Sequence, residues 1–62
     1  MTIDYITKRE IQKTIMFFLT GGQTNKEVIY EKIVHDFKVS QTEVIDIAVE
    51  MQDELPEKWR IF

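Results

Sequence analysis

The stretch IVHDFKVSQTEV, residues 33–44, decides how this 62-residue chain folds. One apolar helical pattern ends within this stretch. The next one begins at Ser40 and Glu43, which have the Ser-x-x-Glu spacing of a capping box. In a capping box the serine hydroxyl accepts a hydrogen bond from the third helical amide, while the glutamate carboxylate accepts one from the serine amide. Val39 lies between the two patterns, and Val44 is the first apolar position of the second. The stretch therefore predicts two helices joined by a very short connection.

The same spacing occurs twice before this stretch, at Thr7 to Glu10 and at Thr24 to Glu27. Each occurrence precedes apolar residues at the 3.6-residue period of an amphipathic helix. We therefore predict a mainly α fold, a three-helix bundle with helices over about 8–20, 25–37 and 41–55. The predicted apolar stripes are Ile11, Ile15, Phe18 and Leu19; Ile29, Ile33 and Phe37, widened by Tyr30 and Val34; and Val44, Ile47, Ala48, Met51 and Leu55.

Helix ends are marked by residues that interrupt the pattern. Gly21 and Gly22 follow the first helix, where a glycine accommodates the left-handed conformation that often ends a helix. Pro56 prevents a clean continuation of the third helix. Residues 2–6 and 58–62 are rich in β-forming side chains. These two ends either pair as a short β-ribbon or lie as extended tails over the helices, with Trp59 covering one end of the bundle.

Residues 29–52 resemble a helix-turn-helix unit, with Val39 in the turn, Ser40 at the entry to the second helix and Val44 as its first core contact. The whole chain resembles a small three-helix domain of that family, and a strand at the C-terminus would make it similar to a truncated winged helix. The resemblance implies a homodimeric DNA-binding transcriptional regulator. Its DNA contacts would come from Lys8, Arg9, Lys13, Lys26, Lys38, Gln41 and Thr42.

The distribution of charge argues against DNA as the partner of the third helix. The chain has a net charge of −3, made of +1 over residues 1–38 and −4 over residues 39–62. Residues 40–55 contain five acidic side chains and no basic one. Affinity for duplex DNA comes largely from Lys and Arg side chains that neutralise phosphates. We therefore favour a protein partner over DNA for this helix, with nucleic acid kept as the alternative.

Two groups of residues off the core stripes are candidate contacts for a protein partner or for a second copy of the chain. On the third helix they are Ile45, Asp46, Val49 and Glu50, and on the first helix they are Met16 and Phe17. Aromatic and Met side chains are enriched at protein interfaces. The simpler alternative is that the core of so small a bundle spreads widely around each helix, because single exposed apolar residues are common.

The sequence offers little for catalysis or metal binding. It has no cysteine, and its single histidine, His35, has no clear set of partners. We therefore expect no enzyme activity, no cofactor and no metal site in a single domain spanning 1–62. No apolar run reaches the roughly 20 residues of a membrane span, and the N-terminus lacks the basic region of a signal peptide. We expect a cytoplasmic protein, of a size common among phage and mobile-element proteins.

Overall fold

The computed structural model describes residues 4–62. It contains three α-helices, α1 (Tyr5–Thr20), α2 (Lys26–Phe37) and α3 (Gln41–Gln52), followed by a 3₁₀ turn at Glu57–Trp59. Each helix packs against the other two. The predicted all-α fold with three helices is confirmed for the described part of the chain.

The core is made from one apolar stripe of each helix and one residue beyond α3. Its members are Ile11, Ile15 and Leu19; Ile29, Tyr30 and Ile33; Val44, Ile47, Ala48 and Met51; and Leu55. Phe18 and Phe37, predicted as stripe residues, lie half-buried at its edge. Between residues 4 and 62 every buried side chain is aliphatic, Met or the aromatic Tyr30, and no charged side chain is buried. Burial of apolar surface, worth roughly 25 cal/mol per Å², is therefore the main force that holds the helices together.

The start of α1 differs from the prediction because Asp4, and not Thr7, is its N-cap. Asp4 Oδ1 accepts a hydrogen bond from the Thr7 amide at 2.7 Å, and the hydrogen bonds from Thr7 lower the pKa of the Asp4 carboxyl. Tyr5 and Ile6 consequently form the first turn of α1. The predicted β-ribbon of residues 2–6 with 58–62 is wrong for the described residues, since residues 4–62 contain no strand. Its residues 2 and 3 lie outside the described part.

The predicted N-cap of α2 is wrong, whereas the predicted N-cap of α3 is confirmed. Asn25, rather than Thr24, caps α2, and its side-chain oxygen accepts a hydrogen bond from the Glu27 amide at 3.0 Å. Asn and Asp are at least as favourable as Thr at this position, so the adjacent Asn displaces the predicted cap. At α3 the reciprocal capping box between Ser40 and Glu43 is present as predicted.

The glycines end α1 as predicted. Gly22 has a φ of +91°, which is the left-handed region where a side chain is disfavoured. The Gly22 amide donates to the Leu19 carbonyl at 3.1 Å, and the Gln23 amide donates to the Phe18 carbonyl at 2.9 Å. This pair of hydrogen bonds is the Schellman motif, which satisfies carbonyls that the helix end leaves free.

The C-terminal segment folds back over the core. α3 ends at Gln52, three residues earlier than predicted, and tight i→i+3 turns carry the chain to Leu55. Beyond Pro56, the Arg60 Nε donates to the Leu55 carbonyl at 3.0 Å. The Phe62 ring lies 5.6 Å from the Tyr30 ring, measured between centroids. The side chains that cover the core from this segment are Trp59, Ile61 and Phe62.

Lys38 ends α2 in a left-handed conformation, with φ 55° and ψ 43°. This conformation costs a residue with a Cβ roughly 1–2 kcal/mol, whereas glycine avoids that cost but loses about 0.5–1 kcal/mol more in chain entropy. We expect Lys38→Gly to raise the free energy of unfolding by about 0.5–1 kcal/mol, measured by urea denaturation. Lys38→Ala keeps the Cβ and should give no such gain. A lower free energy of unfolding in Lys38→Gly would show that the left-handed conformation of Lys38 is not strained.

Candidate functional site

The predicted partner-binding residues of α3 lie on its solvent side, with one exception. We call Ile45, Asp46, Val49 and Glu50 the α3 face. Asp46, Val49 and Glu50 are exposed, and Val49 is 47% exposed between these two carboxylates. Ile45 is half-buried and packs against the core. The apolar part of the α3 face that a partner can reach is therefore centred on Val49.

One carboxylate of the α3 face is already engaged within the molecule. Lys8 Nζ of α1 lies 2.9 Å from Glu50 Oε1, as a hydrogen-bonded ion pair. Exposed pairs of this kind contribute about 0–1 kcal/mol, so the pair positions side chains more than it stabilises the fold. Glu43 is engaged in its capping box. Asp46 of α3 and Asp53, the residue that follows the helix, are exposed carboxylates that make no ion pair among residues 4–62.

Met16 and Phe17 do not form one surface. Phe17 is 74% exposed, whereas Met16 is half-buried. Met16 lines an open groove of about 510 Å³ between α1 and the segment after α3. The groove is lined by the apolar residues Met16, Met51, Leu55 and Pro56 and by the polar residues Arg9, Gln12, Lys13 and Glu54. The structure therefore separates Phe17 on the outer side of α1 from Met16 at the groove.

Sequence reasoning missed two exposed apolar residues at the start of α1. Ile6 is 73% exposed and Tyr5 is 69% exposed. The Tyr5 hydroxyl accepts a hydrogen bond from Arg9 Nη1 at 2.9 Å, and the guanidinium lies 5.8 Å from the ring centroid. Recognition of Asp4 as the N-cap would have placed both residues on the helix. The outer side of α1 is therefore longer than predicted.

The residues predicted to contact DNA are spread over the molecule. The Lys8–Glu50 pair places the beginning of α1 beside the later part of α3. Gln41 and Thr42 lie in the first turn of α3, about 13 Å along the helix from Glu50. Lys8, with its neighbours Arg9 and Lys13 on α1, is thus far from the side chains predicted to read bases.

The remaining basic candidates do not compensate for this separation. Lys26 and Lys38 stand at opposite ends of α2, about 18 Å apart along its axis. Gln41 lines a shallow groove together with Glu27 and Glu31 of α2. Lys38 is the basic candidate nearest to Gln41 in the sequence, and two glutamates line the groove at Gln41. A continuous basic surface along α3, which phosphate contacts require, is not formed by these residues.

The single histidine is in contact with its neighbour in the sequence. His35 Nδ1 lies 3.2 Å from Asp36 Oδ1, and both side chains are largely exposed to water. Within residues 4–62, no three His, Asp or Glu side chains are grouped so that they could hold a metal ion. None of the helices described between Asp4 and Phe62 combines the length and the apolar content needed to cross a membrane.

No protein-family model, curated protein or solved structure matches this chain. Its function is therefore inferred from its own geometry.

Proposed function

We propose that this protein is a small non-enzymatic interaction domain on a helix-turn-helix-like scaffold, and that the α3 face binds a protein partner. The observation that carries the proposal is Val49, 47% exposed on a helix whose charged side chains are all acidic. An apolar contact surrounded by charges of one sign favours a partner with an apolar side chain among Lys or Arg residues. Complementary charge of this kind steers association and suppresses wrong partners.

The position of the ion pair supports the same assignment. Lys8 forms an ion pair with Glu50 at one side of α3. The carboxylates available to a partner of the α3 face are therefore those of Asp46 and Asp53. A duplex approaching the same face would bring its phosphates toward these carboxylates. Each like-charge contact opposes binding, and no Lys or Arg of α3 offsets it.

Enzyme activity has less support than binding. His35 and Asp36 form the one contact between a histidine and a carboxylate within the described residues. Both groups are solvated, whereas catalytic acids and bases are usually tuned by burial or by close charges. The larger groove, between α1 and the end of α3, is open and floored by Met and Leu side chains.

Selection of peptides from a random library on the immobilised protein tests the proposal. We expect the selected peptides to combine Lys or Arg with an apolar residue and to bind more weakly as salt is raised. Val49→Lys should weaken their binding about tenfold or more. Val28→Lys is the matched control, because Val28 is an exposed valine on α2 and its replacement should leave the affinity unchanged. Peptides that bind Val49→Lys as well as the original chain would contradict the α3 face.

Titration with mixed-sequence duplex DNA separates the alternative function from the proposal. At low salt, ordinary non-specific binding is strong enough to be seen at about 10 μM protein. We expect no binding under these conditions. Salt-sensitive binding that is lost when Lys38, Gln41 and Thr42 are replaced by alanine would instead support DNA recognition by the start of α3.

A further inference from the structure

Four exposed side chains form a line along the outer side of α1, away from the core. They are Ile6, Glu10, Lys13 and Phe17, which we call the α1 stripe. Their spacing of four, three and four residues keeps them on one side of a helix. The two ends of the stripe are apolar and highly exposed, at 73% for Ile6 and 74% for Phe17. The two central positions carry opposite charges, and neither makes an ion pair among residues 4–62.

The α1 stripe is complementary to the α1 stripe of a second copy that runs in the opposite direction. If two copies of α1 lie antiparallel about a two-fold axis between residues 11 and 12, Ile6 of each copy meets Phe17 of the other. In the same register, Glu10 of each copy meets Lys13 of the other. Every position of the stripe then has a favourable partner, apolar with apolar and acid with base. Spacings of three and four residues are also those of the contact positions in antiparallel helix pairs.

We propose that α1 pairs with α1 of a second copy in this antiparallel arrangement, so that the protein forms a symmetric dimer through the α1 stripe. A two-fold interface uses the same patch on both subunits, as this one does. A parallel pairing is disfavoured because it would place Glu10 against Glu10 and Lys13 against Lys13. The proposal concerns a different helix from the α3 face and stands even if that face binds nothing.

The small size of the α1 stripe implies that the dimer has a low affinity. From residue 6 to residue 17 it extends about 17 Å along the helix, which is short for a permanent interface. Interfaces below about 1,200 Å² of total buried area are typical of weak and transient complexes. The dimer should therefore depend on concentration and be populated in the range of about 0.1–1 mM.

Sedimentation equilibrium from about 10 μM to 1 mM tests the dimer. We expect the apparent mass to rise from the 7.4 kDa of one chain toward twice that value. Phe17→Lys should raise the dissociation constant about tenfold or more. Val28→Lys and Val49→Lys should leave it unchanged, which keeps this test independent of the α3 face. A mass that stays at one chain throughout this range, or a dimer insensitive to Phe17→Lys, would overturn the proposal.

Charge exchange tests the central contacts. Glu10→Lys alone places two lysine side chains together at each central contact, and Lys13→Glu alone places two glutamates together, so each variant should be monomeric. In an equal mixture of the two variants, each lysine of one chain meets a glutamate of the other, so both central contacts again carry opposite charges. The mixture should therefore form mixed dimers although neither variant dimerises alone. The double exchange within one chain restores opposite charges at both contacts and should dimerise fully.

Folding of these variants is checked separately from their association. Both substituted positions are exposed, and circular dichroism should show unchanged helix content. Dimerisation of either single variant as strong as that of the original chain would overturn the pairing. A double exchange that stays monomeric while it keeps its helix content would overturn it as well.

A disulfide reports the direction of the two helices, because the chain has no cysteine of its own. Under mild oxidation, a mixture of the Ile6→Cys and Phe17→Cys chains should give the mixed disulfide in clear excess over either disulfide between identical chains. Preferential cross-linking of Ile6→Cys to itself would show a parallel pair and overturn the antiparallel register.

Discussion

Ile33→Ala should remove a large part of the free energy of unfolding of this protein. The Ile33 side chain is fully buried, at the centre of the core face of α2. Truncation of a buried Ile to Ala typically costs about 2–5 kcal/mol. A domain of this length has a total stability on the order of 3–9 kcal/mol, from about 0.05–0.15 kcal/mol per residue. The loss is therefore a large fraction of the whole, and urea denaturation followed by circular dichroism measures it.

Val28→Ala is the control for this prediction. Val28 lies on the same helix, but 37% of it is exposed, so its truncation should cost about 1 kcal/mol or less. A loss of less than about 1 kcal/mol in Ile33→Ala would show that the three helices do not close around α2 as described.

Deletion of residues 59–62 should have an effect of similar size. This deletion removes Trp59, Ile61 and Phe62 from the surface of the core, including the ring that packs 5.6 Å from Tyr30. Removal of a packed Phe or Trp side chain alone costs about 3–5 kcal/mol when the side chain is fully buried. Because these residues are half-buried, we expect about 3 kcal/mol for the deletion as a whole, measured by urea denaturation. Phe62→Ala should give a smaller loss and keep the protein folded.

The ionisation of Tyr30 supplies an independent measure of the same contact. Burial raises the pKa of the Tyr30 hydroxyl, and the nearby negative charge of Glu27 raises it further. Because the folded pKa is raised, the contribution of Tyr30 to stability is complete below the unfolded value near 10. It is lost as the pH rises through the folded pKa.

Removal of the aromatic cover should lower the pKa of Tyr30 toward its ordinary value. Absorbance titration at alkaline pH measures the change, in a Tyr5→Phe background so that one tyrosine is observed. The variant for this measurement is Phe62→Ala, which should remain folded. An unchanged pKa of Tyr30 in Phe62→Ala, together with an unchanged free energy of unfolding after the deletion, would contradict the described packing of the C-terminal segment.

The helices were predictable because their signals are local, whereas their ends depend on competition between neighbouring caps. The apolar period that places Ile15 and Val44 in the core is visible in any short window of the sequence. The true cap of α1 is Asp4, and the pattern beginning at Thr7 fits a capping box equally well. The choice extends the helix by one turn and turns β-forming residues such as Ile6 into helical ones. The β-propensity of these residues does not by itself decide whether they form a strand or a helix.

The candidate site was predictable in its charges but not in its contacts. The acidic character of α3 and the exposure of Phe17 follow from the sequence and its helical period. The Lys8–Glu50 pair joins residues far apart in the chain, so it requires knowledge of how α1 packs on α3. The half-burial of Ile45 likewise depends on the elements around it. The reversed symmetry of the α1 stripe became visible only when the helix was known to include Ile6.

The short connections between the helices have a consequence for the lifetime of the protein. Residues 21–25 join α1 to α2, and residues 38–40 join α2 to α3. Helical domains with such local topology fold within microseconds to milliseconds. With a stability of only a few kcal/mol, fast folding implies frequent opening, and proteases degrade the opened form in proportion to its population. A partner or second copy that binds only the folded chain reduces that population by mass action. Binding would thus set how long each molecule survives as well as what it does.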